Sequence, residues 1–446
     1  MTISRRTLLA GLGASTLPAT ARAAGPVSAF GIDAATLGVR AGSPDDQTAT
    51  LQRAIDQAAA AHAPLALAPG VYRAGDLALP SGAQIVGVRG ATRLISTRGR
   101  PLLTATQAER VTLVGLALDG GGAPLPDGLG LITLMNGHDV KIADCVLTGA
   151  GGHGLRLEGI AGEIAENTIG GAADVAILSI DARGLTVARN TVRAAGNNGI
   201  VVLRNVAGED ATMVLDNRIE DIRNVAGGSG QWGNGVNAFR AANVIVSRNR
   251  IRNCAFSAVR GNTASGIEIA GNICSQIGEC ALYSEFGFEG AVIANNTVDG
   301  AETGVSVANF NEGGRIAAVQ GNIIRNLAPN PREPEKETGI GIYVEADTAV
   351  TGNVVENATL AGIVAGWGPY LRDVTITGNV VRAAAIGVAV SVVAGAGGAV
   401  IANNMIAGAR RGAILGMDHH AVVTGDLGHD GAARFAQLAI AGNRID

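Results

Sequence analysis

Asn249-Arg250-Ile251, Ser257-Ala258-Val259-Arg260 and Ile267-Glu268-Ile269-Ala270-Gly271-Asn272 make up one phrase of the sequence, and a second copy runs from Asn272 to Asn296. The same Asn, followed closely by Ile or Val, recurs at Asn167, Asn190, Asn217, Asn322, Asn353, Asn379, Asn404 and Asn443, with Asp144 in that slot one repeat earlier. A period of roughly two dozen residues marks a solenoid. Each repeat carries two alternating apolar runs, a Val-x-Ile type just before the Asn and a Gly-Ile-x-Val type midway. Alternation with period two means strands buried on one face. Three short strands cannot bury that face alone, so neighbours must stack as parallel strands around a shared interior. The expected fold is all-β, a single-stranded right-handed parallel β-helix. A leucine-rich horseshoe and a β-sandwich fit less well, because neither a Leu-rich consensus nor helices separate the strands. Asn suits the turn because its amide tolerates a left-handed backbone and can hydrogen-bond to the Asn above and below.

Residues 1–24 read as an export signal: Arg5-Arg6 precede a modest apolar segment, Leu8 to Leu17, and Ala21-Arg22-Ala23 supplies a cleavage signature. The paired arginines are of the twin-arginine type, with an ordinary secretory signal as the alternative. The segment is too short and Gly-rich to span a membrane. Localisation is therefore expected to be periplasmic or secreted, with the twin-arginine export machinery as a partner. Cys145, Cys254, Cys274 and Cys280 do not form a disulfide framework in a chain this long and read as buried free thiols. A formal net charge of −4, with Lys141 and Lys336 the only lysines, leaves no basic surface for nucleic acid.

Residues 25–100 depart from the repeat and read as an N-terminal cap with the first strands; residues 101–446 hold the β-helix repeats. Ser43-Pro44-Asp45-Asp46 reads as a capping box opening a helix over about 44–61, with Leu51, Ala54, Ile55 and Ala58 on one face. Pro69-Gly70-Val71-Tyr72 follows. A parallel stack has an open end, and a polar-faced helix closes it. The last repeat, Leu438 to Asn443, leaves the other end to a short helix at Gly431 to Gln437 or to another subunit, so oligomerisation through that edge is open. The capping helix and the Pro-Gly-x-Tyr turn resemble the opening of the pectin-lyase-like proteins. Signal, head and repeats together resemble the twin-arginine-exported β-helix-repeat proteins, related in architecture to alginate epimerases and pectate lyases. The resemblance implies fold and export; it supplies no substrate.

Chemistry on such a fold belongs on the outward residues of one sheet. Aligning the Gly-Ile-x-Val phrases puts Arg156, Val201, Asn237, Arg260, Tyr283, Ser306, Tyr343 and Val364 in one outward column. Glu158, Leu203, Phe239, Asn262, Glu285, Ala308, Glu345 and Gly366 form a second, and Arg240, Phe286 and Asn309 stand beside them. Apart from Phe30, Tyr72 and Phe435, every aromatic residue falls between Trp232 and Tyr370, as a sugar-stacking groove requires and as hydrophobic clusters under loops would also explain. The long connections from Asp221 to Asn234 and from Asn326 to Thr338 lie in the same region. The acidic run Glu333, Glu335 and Glu337 reads as a solvated loop, with calcium the weaker alternative; no other cofactor or metal site is indicated.

The expected function is a carbohydrate-active protein, a polysaccharide lyase or glycoside hydrolase acting on an acidic glycan. For a lyase, Arg260 and Arg240 would hold uronate carboxylates and Tyr283 would exchange the proton. For a hydrolase, Glu285 and Glu345, two coils apart in one column, would be the carboxylate pair, with Glu289 as a loop-borne partner. Trp232, Asn237, Asn262, Phe286, Phe288, Asn309, Phe310 and Tyr343 would line the groove. The Asp-Pro-His-Asp type motif of the epimerases is absent, and neither His nor Lys lies on the polar face. That favours the alternative, a non-catalytic glycan- or envelope-binding β-helix. Gly152-His153-Gly154, flanked by Asp127 and Asp174, matches a short polygalacturonase motif whose companion motifs are missing, so His153 reads as structural.

Overall fold

The alternation in the sequence closes into three parallel sheets, seen in a computed structural model that describes residues 31–330 and 338–446. The export segment and the run Glu333, Glu335 and Glu337 lie outside the described residues. Sheet I holds the Gly-Ile-x-Val strands, among them Val236–Ala242, Val259–Asn262, Cys280–Glu285, Thr303–Val307 and Ile340–Val344. Sheet II holds the runs before each Asn, such as Ile245–Ser247, Ile267–Ala270 and Glu289–Ala294. Sheet III holds the strands after it, such as Arg250–Cys254, Ile273–Ile277 and Thr297–Ala301. Strands Gly130–Ala143 and His153–Ala165 run from sheet I into sheet II without a break.

Like residues stack inside. Ile251, Cys274, Val298, Ile324, Val355, Val381 and Ile406 are register partners from coil to coil, and all are inaccessible to solvent. Each such aliphatic side chain contributes about 1.5–3 kcal/mol by leaving water. All four cysteines are free and buried in the stack. Burial pushes the Cys145 thiol up to about 11 and that of Cys274 to about 12, so neither is a nucleophile near neutral pH.

Between sheets II and III runs the asparagine ladder. The Asn272 backbone N–H and Nδ2 both donate to Asn296 Oδ1, at 2.9 and 3.0 Å, and Nδ2 also donates to Val246 O at 2.9 Å. The pattern repeats from Asn167 to Asn404, ending on Asn443. Two details differ from the sequence reading. The left-handed residue is the one before the ladder Asn, for example Arg248 (φ 57°), Gly271 (φ 66°) and Asn295 (φ 57°). Asp144 (φ 56°) therefore aligns with these, and Cys145 fills the ladder slot, its N–H bonded to Asn167 Oδ1 at 3.0 Å.

Helix α1 (Thr48–Ala60) covers the first coil with Leu51, Ala54, Ile55 and Ala58 buried. It begins later than the expected capping box. Ser43 Oγ bonds to Asp45 instead of to a helix N–H, while the Gln47 side chain bridges both Arg40 N and Arg40 O and the Asp46 carboxylate accepts from Thr48 N–H. At the far end an antiparallel hairpin, Gly412–Asp418 with Ala421–Asp426, ends sheet I: its first strand pairs with Ile386–Ser391 and its second forms the edge. The helix there is α2 (Leu427–Asp430), and the segment 431–437 expected to be helical is not. Among the described residues no helix is long and apolar enough to cross a membrane.

Candidate functional site

The outward columns of sheet I stand largely as the sequence aligned them. Asn237, Arg260, Tyr283, Ser306 and Tyr343 are consecutive register partners, and Phe239, Asn262 and Glu285 form the neighbouring column. The alignment misses one coil: strand Ile177–Ile180 is preceded by Ala176 where the phrase has Gly, and it places Leu178 between Arg156 and Val201. The polar residues are brought together, but they are bound to one another. Arg260 Nε and Asn262 Nδ2 both donate to Glu285 Oε1, at 2.6 and 2.8 Å. The Arg260 and Glu285 side chains are only 10% and 3% exposed. The Arg260 guanidinium also lies over the Tyr283 ring, 5.4 Å from its centroid.

A loop seals this cluster. Gly230 has φ +132°, and a Cβ there would stand 1.8 Å from Arg260 Nη1. The loop is tied down by buried amides: Asn197 Oδ1 accepts from Ala226 N–H at 2.8 Å, and Asn198 Nδ2 and Asn234 Nδ2 donate to Gln231 O and Gly230 O. Beneath it Arg260 Nη1 and Asn237 Oδ1 are buried with no hydrogen-bond partner among the described residues. Burial, with Glu285 adjacent, pushes the Tyr283 phenol far above its ordinary range, so phenolate is scarce near neutral pH. Glu345 is raised by burial, against the Tyr343 hydroxyl and the Phe310 N–H, which donate to its two oxygens at 2.6 Å each.

Several expected site residues therefore change role. Phe288 is fully buried in the core and lines no groove. Arg260 gives Nε to Glu285 and its Nη1 is enclosed beneath the loop, so the guanidinium does not face open solvent. Arg240 sits off the column at φ +57°, its guanidinium 4.7 Å from the Phe239 ring and donating to Asn205 O. Glu289 pairs with Arg315 and not with Glu285. Asn309 holds the Phe286 N–H at 3.1 Å, and Phe310 lies under Arg372, so both shape the turn beside Glu345. Trp232 and Tyr343 are half-buried and Phe286 is exposed. His153 is buried, its Nδ1 accepting from Val175 N–H at 3.3 Å and lying 3.5 Å from Asp174, while Asp127 is exposed.

The open site is one corner away, where sheet III turns toward sheet I. A groove of about 990 Å³ crosses the coils from Gly171 to Asn330. Ala194, Asp221, Asn253, Gln276, Gly300 and Asn326 lie along it, and all six are left-handed. Each stands four residues after a ladder Asn, a regularity present in the sequence. Asn253 Nδ2 donates to Asp221 Oδ1 at 2.7 Å, and Asn326 Nδ2 to Asp299 Oδ1 at 2.6 Å. Ile222, Cys254, Ile277 and Ala301 floor the groove, and the base of the sealing loop, Arg223 and Asn224, contributes to its lining.

A family model described as the right handed beta helix region matches residues 205–381. The chain is a right-handed parallel β-helix. A second model, described as periplasmic copper-binding protein (NosD), matches residues 129–237. Copper ligands do not follow from that match: among the described residues no three His, Cys, Asp or Glu side chains are grouped to hold a metal ion, and Cys145 is enclosed in the stack. No curated protein matches the chain. Among solved structures, the β-helix is similar to pre-mature bacteriophage phi29 gene product 12, at 15% identity and TM-score 0.52, covering 87% of this chain and 55% of that one. It therefore spans about half the length of the phage protein. It is also similar to PfbA, a surface adhesin of Streptococcus pneumoniae, at 14% identity and TM-score 0.51, covering 86% and 90%. A third is the catalytic unit of a thermostable GH87 alpha-1,3-glucanase from Streptomyces thermodiastaticus strain HF3-3, at 14% identity and TM-score 0.50, covering 92% and 68%. At such identities the likeness is one of fold. The β-helices it resembles thus include a carbohydrate-active enzyme and an adhesin.

Proposed function

We propose that this protein is an exported glycan-binding β-helix that holds a polysaccharide in the groove between sheets III and I without cleaving it. The observation that carries this reading is the contrast in access. The groove is open and lined with amides and carboxylates over an apolar floor, whereas the groups that could do chemistry on sheet I are sealed and paired. A lyase needs a base and an unoccupied cation near the substrate carboxylate; Tyr283 is held protonated and Arg260 is engaged. The paired arginines at the start of the chain and the match to a periplasmic family support export.

A second reading rests on one feature. Glu285 and Glu345 lie in one column with only Ala308 between them, a spacing of roughly 9.6 Å from the coil separation, at the upper edge for inverting hydrolysis. That chemistry would require the loop over Arg260 to lift. The two readings separate when the mature protein is incubated with a panel of neutral and acidic polysaccharides, following gel retardation, reducing ends and absorbance of unsaturated products together. Retardation without products, lost in Ala328→Trp, which places a large ring in the groove, is the expected outcome. New reducing ends that vanish in Glu345→Gln would install the hydrolase instead, and unsaturated products would install a lyase.

A further inference from the structure

The outward face of sheet III carries a pattern of charges that is its own complement when reversed. We propose that this face is the interface of a two-fold homodimer, in which sheet III of one copy packs on sheet III of a second with the order of coils reversed. The interface does not depend on what the groove holds.

The apolar part of the face lies beside the asparagine ladder. Ile273, Thr297, Ile323, Val354, Val380 and Met405 are register partners in six successive coils. Ile273, Ile323, Val354 and Met405 are 44%, 51%, 40% and 46% exposed. The fold does not require aliphatic residues there, since the same column carries Thr168, Thr191, Arg218 and Arg250 in the earlier coils. Single exposed aliphatic residues are ordinary, but a continuous row of them marks a contact surface.

The second outward column, two residues further along each strand, says what covers that row. It reads Arg252, Ser275, Asp299, Arg325, Glu356, Arg382 and Ala407, and Asp446 continues it, its N–H donating to Ile406 O at 3.1 Å. A two-fold axis lying between the coils of Arg325 and Glu356 sets Arg325 against Glu356 of the second copy. It likewise sets Asp299 against Arg382 and Arg252 against Asp446, and leaves only the neutral Ser275 against Ala407. Every charge in the column meets its opposite. The same axis lays Ile323 on Val354, Thr297 on Val380 and Ile273 on Met405, so the apolar row covers itself. Such an interface is isologous, and each pair occurs twice. One like-charged pair remains, Arg250 against Arg444, at the two ends of the face, where Arg444 already has Asp446 at 3.4 Å.

Other arrangements fit less well. A two-fold parallel to the solenoid axis puts the apolar column against the charged one or leaves half of the face uncovered. An axis centred on Ser275 also matches charges, but it lays Arg218 and Arg250 on Ile323 and Thr297. Within one copy Glu356 and Arg382 have no ion pair among the described residues, and Arg252 Nε donates to the neutral Gln276 side chain at 2.8 Å, so these charges are available to a second chain. Eight coils about 4.8 Å apart, with strands of about five residues rising about 3.3 Å each, give roughly 550 Å² per copy and 1,100 Å² for the pair. That is enough for a specific interface of the weaker kind.

The test is sedimentation equilibrium of the mature protein at low and high salt. The expected result is a reversible monomer–dimer equilibrium in roughly the micromolar range, weakened severalfold by salt that screens the charged column. Glu356→Arg and Arg325→Glu each put like charges at both central pairs, and each variant alone should dimerise at least about tenfold more weakly. Mixed together, the two should recover most of the parental affinity, because arginine again meets glutamate at both central positions; a general loss of folding would not give that rescue. Ile323→Lys should weaken the dimer at least as much as either reversal. Circular dichroism of each variant checks that the solenoid is folded. A parent that stays monomeric would overturn the proposal, and one that instead floats with phosphatidylglycerol vesicles would assign the apolar row to a lipid surface. A dimer that neither charge reversal weakens would place the contact elsewhere, such as the open edge at Leu438–Ala441. Failure of the mixed variants to recover would overturn the reversed order of coils.

Discussion

Asn296 and Arg260 are both buried polar side chains in the middle of one solenoid, yet their surroundings are opposite. Asn296 Oδ1 accepts from the N–H and the Nδ2 of Asn272, and its own Nδ2 donates to Ile269 O and to Asn322 Oδ1. Because the residue above and the residue below are the same, one satisfied geometry is copied up the stack. Arg260 has no copy of itself in the adjacent coils, where Asn237 and Tyr283 stand. Its Nε finds Glu285, but its Nη1 and the neighbouring Asn237 Oδ1 are left without partners. Burial without repetition has to be closed by something irregular, and here that is the loop carrying Gly230.

The sharpest way to break this comparison is to remove one partner of the ion pair. Glu285→Ala leaves the buried Arg260 guanidinium without its hydrogen-bonded carboxylate and should destabilise the protein by about 3–5 kcal/mol. The double variant Arg260→Met/Glu285→Leu should recover most of that, since an apolar pair of similar volume carries no desolvation penalty. Urea denaturation of the two variants and the parent decides it. A double variant no more stable than the single would mean that the pair organises the loop beyond its own charges.

The ladder should respond next. Asn296→Ala orphans the Asn272 N–H, worth about 1–3 kcal/mol when buried and unpaired, and removes the side-chain bond to Ile269 O, so a loss of about 3 kcal/mol is expected. In a stack that is nearly one-dimensional the effect should stay local. Hydrogen exchange should accelerate at Asn272 and in the flanking coils while the first coils keep their protection. Uniform acceleration along the chain would show that the ladder acts cooperatively and not coil by coil.

How far the sequence could be read follows the same division. The ladder, the three sheets and the register of Asn237, Arg260 and Tyr283 were legible because each repeats, and a repeated signal survives errors at single positions. Where repetition weakened, reading weakened: Cys145 stands where an Asn would, and Ala176 stands where the Gly of the phrase would, so a ladder slot and a whole coil were displaced or missed. The fate of Arg260 was not legible at all. It depends on Gly230, thirty positions earlier in the chain, laying its backbone on the guanidinium, and nothing in a glycine-rich loop says where it will come to rest. The groove is written in the sequence through the residue four after each ladder Asn, but those residues are chemically varied and carry no repeated chemical signal.

The smallest effect tests the comparison most finely, because it uses two neighbouring asparagines. Asn295 is exposed and left-handed, at φ 57°, while Asn296 is buried in the ladder. The equivalents of Asn295 in the flanking coils are Gly271 and Gly321, both left-handed. Asn295→Gly removes whatever strain a side chain suffers there, but glycine loses about 0.5–1 kcal/mol more conformational entropy on folding. Asn already tolerates the left-handed region better than most residues, so the two terms nearly cancel and the unfolding free energy from urea denaturation should move by no more than about 0.5 kcal/mol. Asn295→Val, with a branched Cβ in the same backbone, should cost about 1–2 kcal/mol. If Asn295→Gly proved as damaging as Asn296→Ala, the left-handed turn and the hydrogen-bonded ladder would not be separable duties of adjacent residues, and the turn itself would have to be counted as part of the ladder.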